Sequence, residues 1–204
     1  MDTASTFASI ALTAYLVGSI PFGYLVGRLV GGVDLRIAGE GNVGARNTFH
    51  VVGPRWGVGV FAMDAAKGTA VGAVLRDAPP WQLAVGGVAV LVGHALPVWL
   101  GFIGGKGVAT ASGFFTALFP VAAVVGGVGA GAAFIATRRF LPAVIVGIVA
   151  ALVAAASTGS SAAQWAIALS LFVLAGIKRG LDEPRMRRIE AATGWDRAAG
   201  GSTD

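Results

Sequence analysis

The sequence predicts an all-α, polytopic membrane protein of about seven transmembrane helices. Two features of composition and one of charge placement carry that expectation. Hydrophobic residues make up 55% of the 204 positions and charged residues only 12%, with a mean hydropathy of +0.77, outside the usual balance of a soluble domain. Apolar runs lie at 7–30, 54–75, 81–103, 108–136, 140–157 and 162–177, most of them long enough to cross a hydrocarbon core of about 30 Å. The run 108–136 is the longest and carries Pro120 near its middle, where a missing N–H divides a helix in two.

The basic residues decide between six spans and seven. With Arg28, Arg36, Arg46 and Arg55 on the inside, six spans place both Arg138-Arg139 and the basic tail outside, against the positive-inside tendency. Seven spans, split at Pro120, return both to the inside and leave Arg76 as the one basic residue in an outer loop. The expected topology is therefore N-out and C-in, with residues 1–177 forming one transmembrane domain. Residues 178–204, carrying Lys178, Arg179, Arg185, Arg187, Arg188 and Arg197, form a basic cytoplasmic tail. Met1 to Thr6 would lie outside, and the first run, too long and lacking a basic flank, does not read as a signal peptide.

Several chemistries are disfavoured at once. There is no cysteine, so neither a disulfide framework nor a thiolate site is expected, and two histidines, His50 and His94, make a zinc site an unlikely use of this chain. No metal and no cofactor are expected. The net charge of +5 reports topology first, and no nucleic-acid partner is read from it.

Polar chemistry gathers on the predicted inner face. Gly104-Gly105-Lys106-Gly107 joins two apolar runs; its glycines free the backbone to approach an anion, and Lys106 supplies a point charge suited to phosphate. Small residues that pack helices closely, with a lysine that snorkels, would produce the same string. Gly39-Glu40-Gly41-Asn42-Val43-Gly44-Ala45-Arg46-Asn47 offers hydrogen bonds from Asn42, Arg46 and Asn47 on a glycine-spaced loop, or simply ordinary turn chemistry. Asp64 and Lys67 are three apart in an apolar helix and share a face. An unpaired lysine at that depth costs roughly 2.5 to 3.5 kcal/mol, so mutual pairing is the stronger expectation and direct substrate contact the weaker. His94, before Pro97, reads first as a packed histidine.

Together these residues resemble the integral membrane acyl-phosphate:glycerol-3-phosphate acyltransferase family of bacteria, over about 170 residues. The resemblance runs through Gly18-Ser19-Ile20-Pro21-Phe22-Gly23, Gly41-Asn42-Val43-Gly44-Ala45 with Asn47, Asp64 with Lys67-Gly68, Gly93-His94-Ala95-Leu96-Pro97, and Gly104-Gly105-Lys106-Gly107-Val108-Ala109-Thr110. It implies a seven-helix enzyme in the bacterial plasma membrane, independent of coenzyme A and metal. That enzyme moves a fatty acyl group from acyl phosphate to the 1-hydroxyl of glycerol 3-phosphate at the cytoplasmic face, among membrane lipids, and an acyl-phosphate-producing enzyme would be its partner. The resemblance implies roles for Lys106, Asn42 and Asn47 in catalysis, and Arg46, which departs from the family pattern, is expected to join them in place of an arginine. Gly41, Gly44, Gly104, Gly105, Lys106, Gly107 and Thr110 would hold phosphate, supported by Asp64, Lys67 and His94.

The chain departs from that pattern at informative places. Glu40 stands where the family has serine, and a carboxylate beside a phosphate repels it. Arg46 replaces a threonine while His50 replaces an arginine one helical turn on, so Arg46 is expected to take over that guanidinium's work. The third motif is not found in Ala175-Gly176-Ile177-Lys178-Arg179-Gly180, and Phe140-Leu141-Pro142 replaces a serine. A phosphate-binding P-loop is not matched, because Leu100 and Gly107 stand where it needs glycine and Ser or Thr. The histidine-aspartate spacing of coenzyme A-dependent acyltransferases fails at Arg55 and Trp99. A non-catalytic paralogue, a small transporter using Asp64 and Lys67, or a scaffold gripping lipid through its tail are the alternatives.

Overall fold

The computed structural model describes residues 2–196 and 201–202. The first apolar run becomes α1 (Thr3–Ser19) and α2 (Phe22–Leu29), and the first polar segment holds the short α3 (Ala45–Val51). Then come α4 (Pro54–Leu75), α5 (Pro80–Ala95), α6 (Val108–Leu118), α7 (Pro120–Thr137), α8 (Phe140–Ala156) and α9 (Ala162–Thr193). A two-residue antiparallel ladder pairs Trp195–Asp196 with Gly201–Ser202.

Helix boundaries follow local chemistry. Pro54, Pro80 and Pro120 open α4, α5 and α7, where a helix does not need their missing N–H. Asp2 caps α1 by accepting from the Ser5 N–H at 2.7 Å, and Ser161 with Gln164 forms a capping box on α9. The run 108–136 divides as Pro120 predicts: α6 ends at Leu118, and Phe119 makes the turn.

Two runs expected to be continuous are not. The first breaks at Ile20-Pro21, because proline cannot donate to the helix before it. The third stops being α-helical at Ala95, since Pro97 follows, and a single 3-10 turn over Val98–Leu100 continues it. The two breaks brace one another: the Tyr15 hydroxyl donates to the Leu96 carbonyl at 2.8 Å, and Trp99 Nε1 donates to Ser19 Oγ at 2.9 Å. At the predicted 177/178 boundary no break occurs, and α9 runs on to Thr193 through Pro184. Arg197, expected in the tail, and Met1 lie outside the described residues.

Helices approach through small residues, as membrane bundles do. Gly18 lies against Val90 and Gly93 against Tyr15 between α1 and α5, Gly68 against Thr110 between α4 and α6, and Gly126 against Gly147 between α7 and α8. Inside sit Phe114, Phe119, Leu171, Leu83 and Val90. Outside, Val58, Val74, Val128, Ile135, Val153 and Val173 are exposed on apolar helices, which a lipid environment would cover. Five helical segments among the described residues are long and apolar enough to cross a membrane: 3–29, 54–75, 80–100, 120–137 and 162–193. The apolar helices 108–118 and 145–156 are shorter.

Candidate active site

The site forms where the Val33–Gly44 loop, the turn from Gly101 to Gly107 and the far half of α9 meet. Asn47 organises the first of these. Its Nδ2 donates to the carbonyls of Leu35, Ala38 and Asn42 at 3.1, 2.9 and 2.8 Å, and its Oδ1 accepts the Glu40 N–H at 2.9 Å. A side chain whose amide serves four backbone groups builds the loop rather than reaching a ligand. Asn42 closes its own turn by accepting from Gly44 N–H at 2.7 Å. Its Nδ2 is buried without a hydrogen-bond partner among the described residues.

On this framework a carboxylate bridges two cations. Glu40 is 1% exposed; its Oε2 accepts from Lys106 Nζ at 3.1 Å, and its Oε1 lies 3.0 Å from Arg46 Nη1. The Arg46 contact is an ion pair without hydrogen-bond alignment, since Oε1 has no hydrogen-bond donor among the described residues. Arg46 stands on α3 and Lys106 just before α6, so two elements far apart in sequence present their charges together. His50, a turn beyond Arg46, stacks edge-on against Trp195 at 5.9 Å instead.

The glycine-lysine turn differs from expectation in one respect. The N–H groups of Gly104 and Gly105 donate to the Ala95 and His94 carbonyls, both at 3.1 Å, and so cap α5 rather than face an anion. Gly41 N–H is likewise spent on Ala38. Three of the glycine N–H groups expected to face an anion are therefore engaged with backbone carbonyls, those of Gly104 and Gly105 with the carbonyls left over at the end of α5. What the turn does supply is Gly107, left-handed at φ 87°, which starts α6 and aims that helix's first N–H groups toward Lys106's end of the site. Thr110, one turn into α6, is 1% exposed, and its hydroxyl lacks a partner among the described residues.

Beneath the loops, α4 carries a buried charged cluster. Lys67 Nζ lies 2.8 Å from Asp64 Oδ1 and donates to the carbonyls of Gly18 and Ile20 at 3.0 and 2.9 Å. These carbonyls lie at the break before Pro21, so the lysine caps the end of α1. His94 Nδ1 is 3.5 Å from Asp64 Oδ1 and 3.3 Å from Lys67 Nζ. Its ring touches Gly105, where a Cβ would overlap Nε2. A cavity of about 10 Å³ beside Asp64, His94 and Val43 has room for about one water. The cluster thus meets the glycine-lysine turn through one histidine.

Sequence reasoning missed α9's part. Met186 is fully buried, Ile189 closes over Gly41, and Arg185 Nη1 donates to the Arg36 carbonyl at 3.4 Å while its Nη2 is buried without a partner among the described residues. The spacing of Lys178, Asp182, Met186 and Ile189 marks one helical face, and that signal could have identified the segment. Lys178 and Asp182 pair across one turn. The side-chain hydrogen bonds of Arg36 hold the Asp34 carboxyl below the usual carboxylate range and brace the start of the loop. Arg138 and Arg139 are exposed at the turn between α7 and α8.

A bundle of apolar helices, with two cations gathered on a buried carboxylate at one loop cluster, defines an integral membrane protein. Residues 8–182 match the glycerol-3-phosphate acyltransferase family, and the chain belongs to it. A glycerol-3-phosphate acyltransferase of Anaeromyxobacter sp. (strain K) is 49% identical over 138 residues, covering 64% of this chain and 68% of the relative. The glycerol 3-phosphate form of PlsY (YgiH), an integral membrane glycerol 3-phosphate acyltransferase, matches with a TM-score of 0.70 at 32% identity, over 89% of this chain and 92% of that one. Its lysophosphatidic acid form matches with a TM-score of 0.67 at 30% identity, over the same shares. The chain is accordingly a multi-pass membrane protein, and the transporter and scaffold alternatives give way.

Proposed function

We propose that the chain transfers a fatty acyl group from an acyl phosphate to the 1-hydroxyl of glycerol 3-phosphate. The observation that carries this reading is the convergence of Lys106 and Arg46 on one anionic group in a member of this family. The acceptor's phosphate lies on the outer face of those two cations. Asn42 Nδ2, Thr110 Oγ1 and Arg185 Nη2 are buried donors without partners among the described residues, and a shift of the loops that lets the phosphate in past the cations would give it their hydrogen bonds. The positive end of α6 supports the same charge.

The acceptor hydroxyl attacks the acyl carbonyl carbon, the bond from that carbon to the phosphate oxygen breaks, and the hydroxyl proton leaves with inorganic phosphate. Lys106 and Arg46 bind and orient, so most of the rate comes from holding two reactants together and from cationic stabilisation of developing charge. An apolar groove of about 420 Å³, lined by Ile20, Pro21, Tyr24, Leu25, Trp99 and Leu100, offers the acyl tail a lane. Leu100 of that groove also packs against Leu35 and Val43 of the first loop.

The reading includes seven spans, N-out and C-in, in the bacterial plasma membrane, with the loop cluster on the cytoplasmic side and residues 178–204 as a cytoplasmic extension. An enzyme that makes acyl phosphate supplies the donor. Basic residues at Arg36, Arg46, Lys106, Arg138 and Arg185 support that orientation. Because the chain has no cysteine, single cysteines at Asp77 and Arg139 test it: a membrane-impermeant thiol reagent should label the first in intact cells and the second only after permeabilisation.

Activity is tested with purified protein in nanodiscs, labelled glycerol 3-phosphate, and palmitoyl phosphate or palmitoyl coenzyme A as donor. Labelled 1-acyl-glycerol-3-phosphate from the acyl phosphate alone is the expected result. Folded protein that makes none would overturn the reading.

A further inference from the structure

We propose that Glu40 is a built-in counter-anion that sets how tightly this site takes the acceptor's phosphate. The inference rests on the reading of Lys106 and Arg46 as the acceptor's phosphate-binding pair. A carboxylate already lies 3.1 Å from one cation and 3.0 Å from the other. An arriving phosphate therefore shares both.

The carboxylate cannot step aside. Glu40 is 1% exposed and its N–H is held by Asn47 Oδ1 at 2.9 Å. Its neighbours Gly39 and Gly41 adopt left-handed conformations at φ 57° and 64°, with Ile189 of α9 packed over Gly41. The cations are the accessible parts, with 15% of the Lys106 side chain and 49% of the Arg46 side chain exposed. Phosphate from solvent meets two cations whose charge a buried carboxylate already offsets in part. A carboxylate about 6 Å from a phosphate dianion weakens its binding roughly tenfold even at the dielectric constant of water, and more at the edge of a protein.

The opposite role has the opposite sign. If Glu40 chiefly fixed the two cations in place, removing its charge would loosen them and weaken phosphate binding. As a counter-anion, its removal strengthens binding. Glutamine preserves size and an acceptor oxygen while deleting the charge, and serine deletes both.

The test is calorimetric titration of the full chain in detergent with inorganic phosphate and with glycerol 3-phosphate, for wild type, Glu40→Gln and Glu40→Ser. Both probes should bind each variant at least about tenfold more tightly, with the KM for glycerol 3-phosphate falling in parallel. Unchanged or weaker binding by a folded variant overturns the proposal. So does failure of both variants to fold, because Glu40 would then be a structural requirement. Tighter binding in a protein that makes no acyl product would sink the acyltransferase reading alone; acyl product with unmoved phosphate affinity would sink this inference alone.

Discussion

Lys67 and Ile20, 47 residues apart, meet where the first helix breaks: the ammonium donates to the Ile20 carbonyl at 2.9 Å. It also pairs with Asp64 at 2.8 Å, so one side chain neutralises a buried carboxylate and satisfies a helix end. Removing it takes the nearest cation from the carboxylate and a donor from the Gly18 and Ile20 carbonyls. Lys67→Met should destabilise the protein by about 3–5 kcal/mol, and adding Asp64→Asn should restore part of that by removing the orphaned charge. Unfolding midpoints in detergent measure it, and a Lys67→Met midpoint equal to wild type would refute the cap.

Lys106→Ala removes a cation whose loop is held independently by the backbone bonds from Gly104 and Gly105 to the end of α5. Binding should suffer more than folding. Loss of one charge-assisted contact, about 1.5–3 kcal/mol, raises the KM for glycerol 3-phosphate by roughly ten- to a hundredfold. Arg46→Ala should act in the same direction but less, because its guanidinium is half exposed and lacks hydrogen-bond alignment to Glu40. Steady-state kinetics with circular dichroism as a control decides this. A Lys106→Ala enzyme with wild-type KM would remove that residue from the phosphate site.

Gly105 touches the His94 ring so closely that a Cβ would overlap Nε2. Gly105→Ala must displace either the ring or the turn that carries Lys106. Activity should fall at least about tenfold while the helices remain, the usual cost of shifting a positioned group by about 1 Å. His94→Ala in the same chain should restore part of the loss by opening space. If Gly105→Ala is fully active, the histidine does not fix the turn.

Legibility followed the range of the interactions. The split at Pro120 could be read because proline acts locally, and Asp64 with Lys67 because three residues along a helix face is a local relation. The break at Ile20-Pro21 carries the same local sign as the split at Pro120, and only the partner that holds it lies beyond local reach. Its sequence sign is one proline inside an apolar run, and it is stabilised by a lysine 47 positions away. From the sequence the N–H groups of Gly104 and Gly105 point to phosphate, because nothing local shows that the end of α5 claims them. Glu40 was legible as a repulsive carboxylate, while its place between Lys106 and Arg46 needed the folded loops. The basic residues after Ile177 read as a tail, since the contact of Ile189 with Gly41 spans most of the chain.

The same stretch of α9 gives the prediction most remote from the sequence. Arg185 anchors α9 to the Arg36 carbonyl through Nη1 and keeps Nη2 buried without a partner among the described residues. A buried guanidinium N–H with no acceptor is costly unless a ligand supplies one. Arg185→Ala should therefore raise the KM for glycerol 3-phosphate about tenfold or more, and phosphate should protect wild type from thermal unfolding more than it protects the variant. Met186→Asp, which puts a charge where a side chain is fully buried, should instead lower stability with or without phosphate. The two variants separate a ligand contact from a packing contact on the same helix. Equal phosphate protection of wild type and Arg185→Ala would leave Arg185 as an anchor for the loop alone.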